Sequence, residues 1–101
     1  MTSATGNNRW EHRFAVAQKV EMRVSGGRYT PVDLVDMSLH GFSMSSWARH
    51  HVGDVLWVKF PPLGSVEARV KWVRGNLVGC MLARPFHPAV FEQVLANYPS
   101  G

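Results

Sequence analysis

Short segments in which apolar and polar residues alternate recur along this chain of 101 residues, and they limit its fold more than any other feature. The first such segment runs from Phe14 to Val24. Its two faces differ in polarity, with Val16, Gln18, Val20, Met22 and Val24 on one and Lys19, Glu21 and Arg23 on the other. A period of two predicts a half-buried β-strand.

Turn residues separate this segment from further predicted strands. The Ser25-Gly26-Gly27 run favours a tight turn, because glycine adopts positive φ without strain. We predict strands over residues 28–35, 42–46, 55–60, 66–72 and 77–82, with a turn over 36–41 and a loop over 47–54. Trp72 continues the apolar face formed by Ala68 and Val70, so we expect it in the core. Short strands with frequent turns are typical of a small antiparallel barrel or sandwich.

The last part of the chain has a helical pattern instead. Pro88 fits the first turn of a helix, and Pro99 ends it. One face of the predicted helix carries the apolar residues Val90, Phe91, Val94, Leu95 and Tyr98. A helix this short is unstable alone, so its apolar face should pack on the strands.

Length and composition favour a single domain. We expect one domain over residues 1–101, made of a flexible arm (1–13), a β-barrel (14–86) and a C-terminal helix (87–98). The polar N-terminus has no secretory pattern and no apolar run could span a membrane, so we expect a cytoplasmic location. Cys80, the one cysteine, lies in an apolar run and is expected to be a buried thiol.

Arg9 and Arg13 precede the first predicted strand and are four residues apart. Guanidinium groups bind phosphate with two parallel hydrogen bonds, pair with guanine O6 and N7, and stack on flat bases. Two arginines on an arm could therefore close over a nucleotide. The same spacing is also compatible with a solvated charged arm.

Asp36, Ser38 and Gly41 lie between the second and third predicted strands. A carboxylate can accept hydrogen bonds from the N1–H and amino group of guanine, and a hydroxyl can donate to phosphate or base. A glycine permits a ligand to approach the backbone closely. Ordinary turn chemistry is the alternative, with Asp and Ser capping local amides and Gly at positive φ.

Metal-ion and catalytic sites are poorly supported by the sequence. The five histidines, His12, His40, His50, His51 and His87, are not joined by a cysteine or carboxylate cluster at ligand spacing. The chain contains no nucleophile elbow, phosphate-binding loop or zinc-protease motif. We therefore expect neither an enzyme nor a bound metal or cofactor.

The ordered pair of motifs resembles the signature of PilZ domains. Arg-x-x-x-Arg at Arg9 and Arg13 is followed, after a strand hairpin, by Asp-x-Ser-x-x-Gly at Asp36, Ser38 and Gly41. The resemblance extends over residues 9–98 and implies an all-β, six-stranded antiparallel barrel with a C-terminal helix. It also implies binding of the bacterial second messenger cyclic di-GMP. The arginines would contact phosphate and guanine, Asp36 and Ser38 would bond a guanine, and Gly41 would allow close approach.

Two tryptophans lie near these motifs. Trp10, within the arginine motif, either stacks on a guanine or packs on the barrel. Trp72 lies in the penultimate strand, which in PilZ domains is near the ligand, so contact is an alternative to the core position. Asn8, directly before Arg9, bears on whether one or two ligand molecules bind.

The function predicted is that of a signalling receptor that responds to cyclic di-GMP and acts on an unidentified effector protein, as a monomer or weak dimer. The alternative is a protein–protein adaptor of the same fold that does not bind the nucleotide, with Trp47 or Trp57 as a docking patch. A module for single-stranded nucleic acid is disfavoured. Although the net charge is +4, the basic residues are scattered rather than clustered, so we expect no DNA or RNA partner.

Overall fold

Six strands and one helix make up the fold in the computed structural model, which describes residues 12–101. The strands are β1 (Phe14–Val24), β2 (Thr30–Met37), β3 (Gly41–Ser45), β4 (Val55–Phe60), β5 (Gly64–Arg74) and β6 (Leu77–Leu82). The helix is α1 (Pro88–Asn97). The strands form a closed antiparallel barrel in the order β1-β2-β3-β6-β5-β4, with β1 and β4 pairing to close it. The predicted barrel with a C-terminal helix is therefore confirmed.

The hairpin between β2 and β3 is tighter than the sequence pattern predicted. The second and third strands were predicted over residues 28–35 and 42–46, with a turn over 36–41 between them. Asp36 and Met37 instead belong to β2, because they pair with Ser43 and Phe42 of β3. Only residues 38–40 remain between the two strands.

The barrel interior is filled by alternate side chains from all six strands. The largest side chains with almost no exposed surface on these strands are Phe42, Phe60, Met37, Met44, Leu56, Val58, Val70 and Val78. Phe60 contacts Phe42 and Phe86 edge to face, with ring centroids 5.3 and 5.7 Å apart. These contacts connect the barrel core to Phe86, which lies between β6 and the helix.

Helix α1 packs on the barrel through the face predicted from its apolar spacing. Phe91 and Val94 are buried, and the Phe91 ring stacks on Phe86 with centroids 5.9 Å apart. The His87 side chain caps the helix by accepting a hydrogen bond of 3.1 Å from the Ala89 amide. After the helix, the Pro99 carbonyl accepts a 2.8 Å bond from the amide of Ala17 in β1. The end of the chain is thus joined to the first strand.

A β-bulge in β5 reverses the direction of one large side chain. Val70 lies opposite Cys80, but Trp72 lies opposite the very next residue of β6, Gly79, which leaves Lys71 as an extra residue. Such a bulge shifts the alternation by one position. Trp72 consequently faces the outside of the barrel and is only half-buried. The prediction of a core position for Trp72 is therefore wrong.

Val24 also departs from the predicted burial pattern. It was placed on the apolar face of the first strand, yet 37% of its surface is exposed. Val24 is the last residue of β1, directly before the turn at Ser25. The strand has reached the rim of the barrel there, so the inward face no longer has a core to cover it.

Candidate ligand-binding site

A row of side chains crosses five strands on the outer wall of the barrel. The members occupy paired positions on neighbouring strands, and together they are called the cross-strand row: Ala15, Asp36, Ser43, Gly79 and Trp72. They face outward, since the residues that alternate with them, such as Phe42 and Cys80, are core residues. Four strand spacings of about 4.8 Å give the row a length of about 19 Å. The small residues Ser43 and Gly79 separate the Asp36 carboxylate from the Trp72 indole.

Arg13 meets the carboxylate end of the row. Its Nη1 atom donates a hydrogen bond of 2.7 Å to Asp36 Oδ1, although the two residues are 23 positions apart in sequence. The side chains are 44% and 26% exposed. An ion pair with this exposure contributes about 0.2–1 kcal/mol, so it can be exchanged at little cost for bonds to a ligand.

Three other residues singled out near the N-terminus precede the described part of the chain. Arg9, Trp10 and Asn8 lie outside the described residues. The predicted contacts of Arg9 with a nucleotide, and the two alternatives for Trp10, stay predictions. Arg13 and Asp36 are accordingly the one contact described between the two predicted motifs.

Ser38 shapes the turn that carries Asp36. Its Oγ accepts hydrogen bonds from the amides of His40 and Gly41, at 3.3 and 3.2 Å. The hydroxyl donates in turn to the Gly41 carbonyl at 3.3 Å. The side chain is buried, with 4% of its surface exposed. The turn chemistry considered from the sequence is therefore present, and a ligand would have to compete for the hydroxyl.

Gly41 is required by the neighbouring strand. A Cβ atom at this position would overlap the carbonyl oxygen of Cys80 in β6. Its φ is not positive, unlike that of Gly26, Gly53, Gly64 or Gly75, so the turn alternative is wrong in expecting positive φ at Gly41. The absent side chain instead permits β3 and β6 to lie close together behind the turn.

Gly79 also leaves space for a neighbouring group, in this case the Trp72 side chain. A Cβ atom on Gly79 would overlap the indole ring of Trp72, so the ring lies directly against the backbone of β6. The guanidinium of Arg74 lies over the same indole, 4.9 Å from the ring centroid. The far end of the cross-strand row is therefore an aromatic surface supported by a strand. A glycine within the apolar run of β6 is the sequence signal that corresponds to this close approach.

Ser43 lies in the middle of the row, between Asp36 and Gly79. The residue is 2% exposed, and its Oγ has no hydrogen-bond partner within the described part of the chain. Most buried polar groups have a partner, so an unpaired hydroxyl at a candidate site requires an explanation. No sequence pattern singled out Ser43, because only the strand register places it beside Asp36.

Among the described residues, no group with a perturbed pKa is a member of the row. Burial raises the pKa of the Cys80 thiol to about 12, and the thiol is on the inner face of β6, as predicted. Burial also raises the pKa of Tyr98 to about 12. Residues 12–101 contain no group of three potential metal ligands. Over the same residues, no helix has the length and apolarity needed to cross a membrane.

The fold and the row together describe a small β-barrel domain with a polar and aromatic site on its outer wall. The family model of the PilZ domain matches residues 7–98, so the chain belongs to the PilZ family, as its motifs predicted. PilZ domains are binding and adaptor domains rather than a catalytic family, and they include receptors for cyclic di-GMP. No curated protein matches the sequence significantly.

Proposed function

We propose that this PilZ domain binds cyclic di-GMP on the outer wall of the barrel, along the cross-strand row. The proposed ligand residues are Arg9, Arg13, Asp36, Ser38 and Gly41. The observation that carries the proposal is the 2.7 Å bond between Arg13 and Asp36, which joins the two halves of a motif separated by 23 residues. A binding site made from both motifs requires that they lie side by side on the surface, as Arg13 and Asp36 do.

The charges of the site suit the chemistry of the ligand. Cyclic di-GMP carries two negative charges and two flat bases. Asp36, whose side chain is 26% exposed, accepts from the N1–H and amino group of one guanine. Arg13 then exchanges its bond to Asp36 for a phosphate or for the O6 and N7 acceptors of guanine. Arg9 is the second arginine proposed to contact the ligand.

Trp72 extends this proposal to the other end of the row. Its indole is half-buried on the outer wall and supported by Gly79 and Arg74. A base that stacks on an aromatic ring gains about 1–3 kcal/mol. Asp36 and Trp72 are three strands apart in the row, about 14 Å at the usual strand spacing, so a guanine at Asp36 leaves room for a second base to stack near Trp72.

Isothermal titration with cyclic di-GMP, with GTP as the control ligand, tests the proposal. We expect saturable binding with a Kd below about 10 μM, equivalent to roughly −7 kcal/mol, and no binding of GTP. The fitted stoichiometry shows whether one or two molecules bind per chain. Absence of heat at high protein concentration would contradict the proposal.

Matched variants test the residues. Arg13→Ala and Asp36→Ala remove either partner of the ion pair at the row, and each should weaken binding at least about tenfold, about 1.4 kcal/mol. Lys19→Ala and Asp33→Ala are the controls, because they break a 2.9 Å ion pair between β1 and β2 at residues outside the row. If all four variants bind as well as the unmodified chain, the assignment of Arg13 and Asp36 to the site is wrong, although cyclic di-GMP would still be a ligand.

A protein–protein adaptor is the second candidate, and one observation favours it. The Trp47 side chain is 90% exposed, and Val52 of the same loop is 68% exposed. Exposed aromatic residues are frequent energetic centres of protein interfaces. A pulldown distinguishes the adaptor from the receptor. For an adaptor, the captured partners should depend on Trp47 and should not change when cyclic di-GMP is added.

A further inference from the structure

The hydroxyl of Ser43 is a buried polar group without a bond. Residue 43 is 2% exposed, and its Oγ has no partner among the described residues. A hydroxyl that loses water without gaining a partner destabilises the native state. The neighbouring outward position on the same strand behaves differently, since Ser45 Oγ accepts a 2.8 Å bond from the Asn76 amide.

The position of Ser43 identifies what the hydroxyl could meet. Its paired residues are Asp36 on β2 and Gly79 on β6, one a carboxylate and the other without a side chain. Paired residues on adjacent strands have Cβ atoms about 4.5–5.5 Å apart, close enough for one flat ligand to contact both. Ser38, the serine of the predicted motif, has its hydroxyl engaged in the turn. Ser43 therefore has the unengaged hydroxyl beside Asp36. Because less than 1 Å² of its Oγ is exposed, a ligand can reach this hydroxyl only when the groups that cover it move aside.

We infer that Ser43 is a further ligand-binding residue, whose hydroxyl donates to an acceptor atom of the nucleotide held at Asp36. The inference rests on the proposed function, because it assumes that cyclic di-GMP occupies the row. The acceptor is a phosphate oxygen or the O6 or N7 atom of guanine, since Asp36 itself serves the donor atoms of the base. The Ser43 hydroxyl, which has no hydrogen-bond partner among the described residues, would then gain one when the ligand binds.

The test compares Ser43→Ala with Ser45→Ala by isothermal titration and thermal unfolding. Both changes remove one hydroxyl from the outward face of β3, but only Ser43 is in the cross-strand row. We expect Ser43→Ala to weaken cyclic di-GMP binding about threefold to tenfold, as for one neutral hydrogen bond, with Tm unchanged or raised. Ser45→Ala should lower Tm, because Asn76 loses its acceptor, and should leave the Kd unchanged.

The outcomes separate the two proposals. If the unmodified chain binds and Ser43→Ala binds equally well, Ser43 is not a ligand-binding residue, while the proposed function stands. If Ser43→Ala lowers Tm as much as Ser45→Ala does, the hydroxyl has a structural partner in the free protein, and the inference is also overturned. If the unmodified chain binds no cyclic di-GMP, the proposed function and this inference fail together.

Discussion

Two polar side chains, Asp36 in β2 and His50 in the loop between β3 and β4, differ in how their polar atoms are satisfied. Asp36 bonds Arg13 and remains partly exposed, so its charge is available to a ligand. His50 is buried at 6% exposure, and its Nε2 is 2.9 Å from Ser46 Oγ while Nδ1 has no partner within residues 12–101. The bond between Arg13 and Asp36 can therefore be exchanged for bonds to a ligand. The burial of His50 instead favours its uncharged imidazole.

The buried histidine predicts that stability falls in mild acid. Burial lowers the pKa of His50 below the ordinary value of 6.5, and His51 lowers it further, against the opposing effect of Asp54. As the pH falls below about 6.5, the unfolded chain takes up this proton before the native protein does, so native stability is lost. A single proton limits the loss to about 1.4 kcal/mol per pH unit. Above that range His50 contributes no pH dependence.

Thermal unfolding of the unmodified chain and of His50→Gln between pH 7.5 and 5.5 measures this effect. The Tm of the unmodified chain should fall more steeply than that of the variant, because the variant lacks the titrating group at position 50. Other carboxylates and histidines titrate in both proteins and cancel in the comparison. Parallel curves would show that His50 takes up its proton equally in both states.

At the scale of elements, the bulge in β5 determines which side chain of that strand lies on the outer wall beside Gly79. The extra residue, Lys71, turns Trp72 from the core to the outside, where Gly79 of β6 leaves space for the indole. Neither strand alone forms this surface. The paired positions of β5 and β6 form it together, as β2 and β3 form the carboxylate end.

Replacement of Trp72 distinguishes an outer position from a core position. A core Trp→Ala change costs about 3–5 kcal/mol of stability. We expect Trp72→Ala to cost less than that, but to weaken cyclic di-GMP binding by about 1–3 kcal/mol, a factor of about 5–150, through lost stacking. Titration and urea unfolding measure the two effects.

Trp57→Ala is the matched control for this change. Trp57 also faces outward, on β4, where Arg23 lies 5.5 Å from its ring centroid, away from the row. Its replacement should leave the Kd unchanged. Equal binding by the two variants would remove Trp72 from the site.

The elements show which parts of the structure the sequence could predict. Alternation and turn residues are local patterns, so six strands and a helix were predicted close to their observed positions. The bulge at Lys71 depends on pairing with β6, and no local pattern announced it. Asp36 was expected in a turn for a similar reason, since its pairing with Ser43 becomes visible only once the hairpin is formed.

The candidate site was only partly predictable for the same physical reason. Charged residues such as Arg13 and Asp36 stand out by type and spacing, and the resemblance to PilZ domains connected them. Ser43 and Gly79 are chemically ordinary residues, and they become notable through burial and register. A site built on a cross-strand row is distributed over five strands, so its inert members cannot be recognised from sequence alone.

At the scale of the whole molecule, a net charge of +4 favours an anionic ligand. Because Arg13 is 44% exposed, its attraction for phosphate is screened by salt. We expect the Kd for cyclic di-GMP to rise severalfold between about 0.05 and 0.5 M NaCl, as the Debye length falls.

Titrations at several salt concentrations measure this dependence, and Arg13→Ala serves as the comparison. The variant should have a flatter dependence than the unmodified chain, since it lacks one of the screened charges. A Kd that does not change with salt would show that stacking and neutral hydrogen bonds dominate, and would contradict a phosphate contact by the arginines.

The closed order of the strands also limits the ways in which another protein could bind this domain. An open sheet presents a free edge, to which a partner can add a strand through main-chain hydrogen bonds. Here β1 pairs with both β2 and β4, so the described barrel has no such edge to extend. A partner of the described barrel would therefore have to contact side chains of the outer wall, the loops or the helix rather than extend the sheet. Competition for that wall is then the simplest route by which ligand could alter the choice of partner.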